Sequence, residues 1–211
     1  MLKLTEINGR RDGAPLRYAR GHFATNYSHI NYYIDITYQK TRLSEAKAVA
    51  KGLVHHFNIS TIVDTVLCLD GTAVIGTCLA NELTKSGFMN INNHQTIYVV
   101  EPEFVSSSQM IFRDNIQPMI KGKHVLVLMA SVTTGYTAKR SIESISYYGG
   151  QVAGVAAIYR AVDEIEGYRV RSIYSVDDLP DYESYDYRDC PYCKQGIKLD
   201  ALINSHGYSA L

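Results

Sequence analysis

His124-Val125-Leu126-Val127-Leu128-Met129 runs into Ala130-Ser131-Val132-Thr133-Thr134-Gly135-Tyr136-Thr137, and this stretch decides the fold. The first part is a short, uninterrupted apolar run, which suits a strand buried on both faces. The second part is a small-residue turn, and helical spacing follows it over residues 137–148, closed by Gly149-Gly150. Another apolar strand is expected over 151–159. Such a turn offers backbone N–H groups, three threonine hydroxyls and the positive end of a helix dipole, a donor set that suits a phosphate. Ser and Thr are also ordinary helix caps, so the turn taken alone supports either reading. It lacks the Gly-x4-Gly-Lys pattern of a nucleotide P-loop.

Upstream, Leu43, Ala46, Ala50, Leu53, Val54 and Phe57 recur at helical spacing, which predicts a helix over 43–57. A strand is expected over 61–69, closed by Asp70-Gly71. A helix over 72–85 with Ile75, Leu79 and Leu83 on one face follows, and then a strand over 96–100. Residues 101–122, which include Ser106-Ser107-Ser108, have no clear period and read as a long excursion of the kind that is usually functional or mobile. Strands that alternate with helices predict an α/β fold, a mainly parallel sheet flanked by helices on both faces. The expected divisions are an N-terminal segment over 1–40, the α/β core over 41–162, and an acidic, Tyr-rich extension over 163–211.

The chain has 211 residues with 21 Lys+Arg against 21 Asp+Glu. That length can bury a sizeable core. No apolar run approaches the roughly 20 residues of a membrane-spanning helix, and the first residues lack the apolar core of a signal peptide. A soluble, cytoplasmic protein is the expectation. Zero net charge argues against binding polyanions through a general field, so neither nucleic acid nor a membrane surface is expected as a partner. The neutrality is uneven: residues 1–162 hold 16 basic and 11 acidic side chains (+5), residues 163–190 hold 3 and 9 (−6), and the remainder adds +1. An acidic block reads first as a solvated face, while the positive body suits a small anionic ligand.

The sequence resembles the type I phosphoribosyltransferases, in particular the orotate phosphoribosyltransferases. Thr133-Thr134-Gly135-Tyr136-Thr137 matches the turn that holds the 5′-phosphate of phosphoribosyl pyrophosphate (PRPP) in that family. His22-Phe23 through Ser28-His29 and Tyr33-Ile34-Asp35 looks like the N-terminal hood. Val63-Asp64 through Asp70-Gly71-Thr72 and Ile75-Gly76 is similar to the strand and pyrophosphate loop. Arg113-Asp114-Asn115, before Lys121-Gly122-Lys123, stands where the family has its mobile catalytic loop. The resemblance covers roughly residues 20–160 and implies transfer of a phosphoribosyl group from PRPP to a pyrimidine base, with magnesium and a homodimeric assembly. It implies 5′-phosphate contacts from Ser131, Thr133, Thr134, Gly135, Tyr136 and Thr137. Pyrophosphate contacts would come from Asp70, Gly71 and Thr72, and base or hood contacts from Ser28, Tyr33 and Asp35. Arg113 and Asp114 would be the catalytic-loop residues.

Two departures from the family pattern stand out. The adjacent acidic residues that bind the ribose hydroxyls in the family are Met129 and Ala130 here. A hydrogen bond to a charged group is worth roughly 1.5–3 kcal/mol, so losing two costs roughly 3–6 kcal/mol, on the order of 10²–10⁴ in rate. The mobile-loop lysines are also missing: Arg113 is the one Lys or Arg between Lys85 and Lys121. Two readings follow: an enzyme in which Glu101, Glu103 or Asp114 substitutes for the lost pair, or a non-catalytic PRPP- or nucleotide-binding regulator on the same scaffold.

Four cysteines complete the inventory. Cys68 and Cys78 lie in apolar segments and read as small buried hydrophobes. Cys190-Pro-Tyr-Cys193 has the form of a zinc knuckle, with His206, Asp189 or a second subunit expected to complete a Zn²⁺ site, or of two free thiols in a turn. The seven histidines show no metal spacing; His22 and His29, in the hood segment, are candidate base contacts.

Overall fold

Side chains alternate along the strand over residues 124–132, and that alternation organises the molecule. Leu126, Leu128 and Ala130 enter one buried cluster; Val125, Val127 and Met129 enter another on the opposite face. The computed structural model describes residues 2–7, 14–57, 59–85, 90–92, 96–105 and 109–211. Ser106, Ser107 and Ser108 lie outside the described residues. In chain order the first half comprises β1 (Thr5–Ile7), β2 (Leu16–Ala24), β3 (His29–Asp35), α1 (Thr37–Thr41), α2 (Leu43–Val54), β4 (Thr65–Cys68), α3 (Ala73–Thr84), β5 (Tyr98–Val100), β6 (Glu103–Val105) and β7 (Gln109–Ile111). The second half comprises β8 (His124–Val132), α4 (Tyr136–Tyr147), β9 (Gln151–Arg160), β10 (Glu164–Ile165), β11 (Tyr168–Ser175), β12 (Ser184–Tyr185), α5 (Pro191–Lys194), β13 (Ala201–Asn204) and β14 (Gly207–Ala210).

The core sheet has the order β10-β11-β9-β8-β4-β5, and all its pairings are parallel except β10 with β11. Ala46, Val49, Ala50 and Leu53 of α2 and Ile75 and Leu79 of α3 cover one face. Ala138, Ile142 and Ile145 of α4 cover the other. This is the expected α/β architecture, a mainly parallel sheet with helices on both sides. Gly76 allows α3 to lie close on β4, since a Cβ there would collide with Cys68 Sγ. Cys68 and Cys78 are both buried, and burial pushes the Cys68 thiol up to about 12.

A second sheet forms the hood, in the order β12-β3-β2-β13-β14 with β1 on β2. Its strands come from both ends of the chain. Residues beyond 162 therefore enter both sheets: β11 is an edge-side strand of the core, parallel to β9, and β12, β13 and β14 complete the hood. The acidic segment is thus more regular than its sequence suggests. Two of its tyrosines pack inward: Tyr174 is buried and donates to Ala14 O at 2.6 Å, and Tyr182 packs against Tyr159 and Tyr32. Hood and core are tied by Arg17 of β2, whose guanidinium holds both oxygens of Glu45 on α2 at 2.8 and 3.1 Å. Within the excursion over 101–122, β6 and β7 form an antiparallel hairpin.

Candidate functional site

Parallel α/β sheets bind ligands at the carboxyl ends of their strands, and here β8 and β4 end beside each other. β8 ends at Val132; the turn then reaches Gly135, whose φ of 78° opens α4. β4 ends at Cys68, and the turn after it runs through Asp70-Gly71, both left-handed at φ 56° and 74°. Between these turns and the hood lies a cleft of about 440 Å³. Ser131, Thr133, Thr134, Tyr136 and Thr137 line it from the turn, Asp70 from the strand end, and Ser28 and Tyr33 from the hood. These residues, expected together, are brought together. Gly135 supplies backbone geometry rather than a wall: a Cβ would sit 3.0 Å from Ile165 Cδ1.

Other expected residues lie elsewhere. The Thr72 hydroxyl is fully buried and donates to Leu69 O at 2.7 Å and Leu128 O at 3.2 Å, so it ties β4 to β8. Asp35 Oδ1 accepts from the Thr37 N–H at 2.9 Å, at the start of α1. Arg113 grips Glu103 through Nε and Nη2 at 2.7 and 2.6 Å. Asp114 accepts from Gln117 at 3.1 Å. Thr72, Asp35, Gly71, Arg113, Asp114, Glu101 and Glu103 are all absent from the cleft lining, though Phe104 and Val105 of the β6–β7 hairpin reach it.

The structure adds residues that sequence reasoning missed. Lys40, half-buried in the last turn of α1, lines the cleft and donates to Asp70 O at 2.9 Å and Ser205 O at 2.6 Å. Arg140, one turn into α4, lies 4.8 Å over the Tyr136 ring, and Tyr136 packs on Tyr27 of the hood at 5.2 Å. Asn204, Ser205 and Gly207 form a tail turn at the cleft mouth. A lysine one residue short of the end of a short helix has no sequence signature. Arg140, one turn after the phosphate motif, had one.

Among the described residues, Asp70 carries the one carboxylate in the lining. Burial raises its pKa, opposed by the Ala130 backbone N–H, Lys40 and His206. Burial lowers the Lys40 pKa, opposed by Asp70 and Asp35. Met129 and Ala130 both reach the cleft, yet their side chains belong to the two opposite core clusters and are 3% and 7% exposed.

A separate cluster lies on the hood. His22, His29, Cys190 and Cys193 bring four ligand atoms within 4.8 Å of one another. This corrects the sequence reading twice: the partners of the cysteine pair are not His206 or Asp189, and the histidines do hold a metal-type arrangement. Neither His22 nor His29 lines the cleft, so neither is a base contact there.

No family model matches the chain. It is 29% identical over 185 residues to the orotate phosphoribosyltransferase of Chlorobaculum parvum, covering 86% of each chain. It is 38% identical over 81 residues to that of Caldanaerobacter subterraneus subsp. tengcongensis, an alignment spanning 37% of this chain and 40% of the relative. Mycobacterium tuberculosis H37Rv orotate phosphoribosyltransferase, solved with inorganic phosphate, superposes with a TM-score of 0.51 at 21% identity over 72% of this chain and 83% of that one. The same protein solved with PRPP gives 0.50 at 20% identity, over 70% and 82%. The chain thus has the type I phosphoribosyltransferase fold, and its sequence is similar to those of orotate phosphoribosyltransferases.

Proposed function

We propose that the cleft binds PRPP and that the chain transfers its phosphoribosyl group to a pyrimidine base of the orotate kind, at a rate held down by Met129 and Ala130. The observation that carries this is the turn over 131–137, which faces Asp70 across a cleft large enough for a sugar phosphate and a base. Backbone N–H groups at the start of α4, with Ser131, Thr133, Thr134 and Thr137, would hold the 5′-phosphate. The M. tuberculosis relative has been solved with PRPP, which supports that ligand here.

In the reaction a ring nitrogen of the base forms a bond to the ribose anomeric carbon, and pyrophosphate leaves with the electron pair of the broken C–O bond. Preorganised charge would supply most of the acceleration. Lys40 and Arg140 line the cleft as cations facing an anionic substrate. Magnesium typically keeps several waters and takes one or two carboxylates with substrate phosphates. Asp70 fits that need, and a bound cation would favour its ionised form. The metal would neutralise the departing pyrophosphate. Neither Cys190 nor Cys193 lines the cleft, so the zinc expected there takes no part in this reaction. A cytoplasmic homodimer is the accompanying expectation, tested by sedimentation and cell fractionation. No helix among the described residues is long and apolar enough to cross a membrane.

One observation favours a second reading, a non-catalytic PRPP- or nucleotide-binding regulator. No carboxylate stands at the end of β8, and Glu101, Glu103 and Asp114 do not line the cleft to replace one. Calorimetry with PRPP, with and without magnesium, beside an orotate turnover assay separates the two. Magnesium-dependent formation of orotidylate supports the transferase. Tight binding without turnover leaves the regulator, and no binding at all removes both.

A further inference from the structure

We propose that His22 Nε2, His29 Nδ1, Cys190 Sγ and Cys193 Sγ bind one zinc ion, and that this ion clasps the C-terminal tail onto the N-terminal hood. His22 Nε2 lies 3.1 Å from His29 Nδ1, 3.4 Å from Cys190 Sγ and 3.7 Å from Cys193 Sγ; Cys193 Sγ lies 3.3 Å from His29 Nδ1. Zinc binds nitrogen at about 2.0–2.1 Å and thiolate sulfur at about 2.3 Å in tetrahedral sites. The edges of such a tetrahedron are about 3.3 Å between two nitrogens and about 3.6 Å between nitrogen and sulfur. These four separations match within a few tenths of an ångström, and all four ligand atoms lie within 4.8 Å of one another. Two sulfurs and two nitrogens in this arrangement select zinc over the harder cations.

The surroundings orient the ligands. His22 is 2% exposed, and its Nδ1 faces Ile197 O at 3.0 Å and Lys198 O at 3.3 Å. That nitrogen must carry the hydrogen, which leaves the Nε2 lone pair turned into the cluster. Tyr192 stacks on the same ring at 5.2 Å. Pro191 begins the short α5 turn between the two cysteines, and Gly196, at φ 72°, closes it. Without an ion, a bare imidazole nitrogen would be packed against another imidazole nitrogen and two sulfurs.

The clasp function follows from how few and local the other ties of the tail are, among them the Lys40 Nζ bond to Ser205 O and the packing of Tyr208 on Tyr33. β13 pairs with β2 through Ala201 with Phe23 and Leu202 with Ala24. Asp200 adds two bonds to the backbone of His22, each 2.8 Å. The local core consists of Ala19, Phe23, Ile30, Tyr33 and Ala201, a small cluster of the kind that metals commonly reinforce. The ion would join β2 and β3 to α5, a few residues before β13 and the Asn204-Ser205 turn at the cleft mouth.

The test uses the full, untagged chain purified under reducing conditions. Elemental analysis is expected to find about one zinc per chain, and Cys193→Ser and His29→Ala are expected to retain less than a tenth of it, with Cys78→Ser as the unaffected control. Cobalt(II) added to stripped wild-type protein is expected to give intense visible bands of tetrahedral cobalt and a near-ultraviolet thiolate band, independently of whether the variants fold. Stripping is expected to speed tryptic cleavage after Lys194 and Lys198 at least tenfold, and zinc to reverse it. Absence of zinc together with no tetrahedral thiolate spectrum overturns the site. A Cys190–Cys193 disulfide that persists with no metal uptake does the same. Bound zinc with an unchanged cleavage rate overturns the clasp. None of these readouts depends on PRPP binding or turnover.

Discussion

Lys40 Nζ donates to the backbone carbonyl of Ser205 at 2.6 Å, across 165 residues of chain, while also holding Asp70 O at 2.9 Å. One ammonium thus joins the strand-end loop of the core to the tail turn at the cleft mouth. Lys40→Met keeps the aliphatic stem and removes both bonds. The variant is expected to lose roughly 1–3 kcal/mol of stability, read by urea unfolding, and to exchange amide hydrogens faster over residues 203–207. Unchanged protection there would show that Lys40 does not hold the turn.

Gly135 combines a φ of 78° with a site where a Cβ would press on Ile165. Gly135→Ala forces an L-residue into left-handed backbone, at roughly 1–2 kcal/mol. The distortion falls at the first turn of α4, where the proposed phosphate donors are. Inorganic phosphate and PRPP should therefore bind at least tenfold more weakly, measured by calorimetry, while the circular dichroism spectrum is retained. Binding at wild-type strength would move the phosphate away from this turn.

Asp70 is an acid whose folded pKa is raised by burial above its ordinary 3.8, despite opposing contributions from the Ala130 N–H and Lys40. The unfolded chain then releases this proton more readily than the folded one. The stability penalty is absent below the unfolded pKa, grows as pH rises through the folded pKa, and persists above it. Asp70→Asn removes the penalty and tolerates the left-handed backbone. The variant should be more stable than wild type at pH 7 and equal to it below pH 3.8, while losing the magnesium-dependent part of PRPP binding. A destabilised variant at pH 7 would contradict this assignment.

Asp64 shows the opposite sign. Burial works against its ionised form, but the His124 backbone N–H at 2.8 Å and ring Nδ1 at 2.9 Å, with Lys123, outweigh it and depress the pKa. Its contribution is therefore present above pH 3.8 and is lost as pH falls through the folded value. Asp64→Asn should be less stable than wild type at pH 7, and the gap should close in strong acid. A gap of constant size from pH 7 to pH 2 would mean that charge has no part in it.

The core could be read locally because its determinants are local. The apolar faces of α2, α3 and α4 and the runs of β8 and β9 are periodic within themselves, and glycines punctuate their ends. The turn over 131–137 was visible for the same reason. β11 was not, because Arg169, Arg171 and the tyrosines interrupt the apolar pattern of a strand with one open side. The hood pairing was hidden more deeply, since β13 meets β2 across the whole length of the chain and no local signal encodes that partner. The His–Cys cluster shows both cases: Cys190 and Cys193 carry a spacing, whereas His22 lies 168 residues from Cys190. The remaining signal was two histidines seven apart in adjacent strands of one hairpin, which turns them toward each other only once the register is known.

Met129 and Ala130 set the last expectation. Alternation along β8 sends Met129 into one core cluster and Ala130 into the other, so a carboxylate at either position begins next to apolar neighbours. Ala130→Asp also brings a second acid beside Asp70, to which the Ala130 N–H already donates. The double variant Met129→Asp, Ala130→Asp should therefore fold with a stability loss of a few kcal/mol, and PRPP with magnesium should recover part of that loss by binding the acids. If only the sugar contacts hold the rate down, its kcat/KM with orotate should exceed wild type by on the order of 10²-fold or more, the scale of two hydrogen bonds to charged groups. A folded, PRPP-binding double variant with no gain in turnover would assign the deficit to the leaving-group side instead, where Arg113 is committed to Glu103.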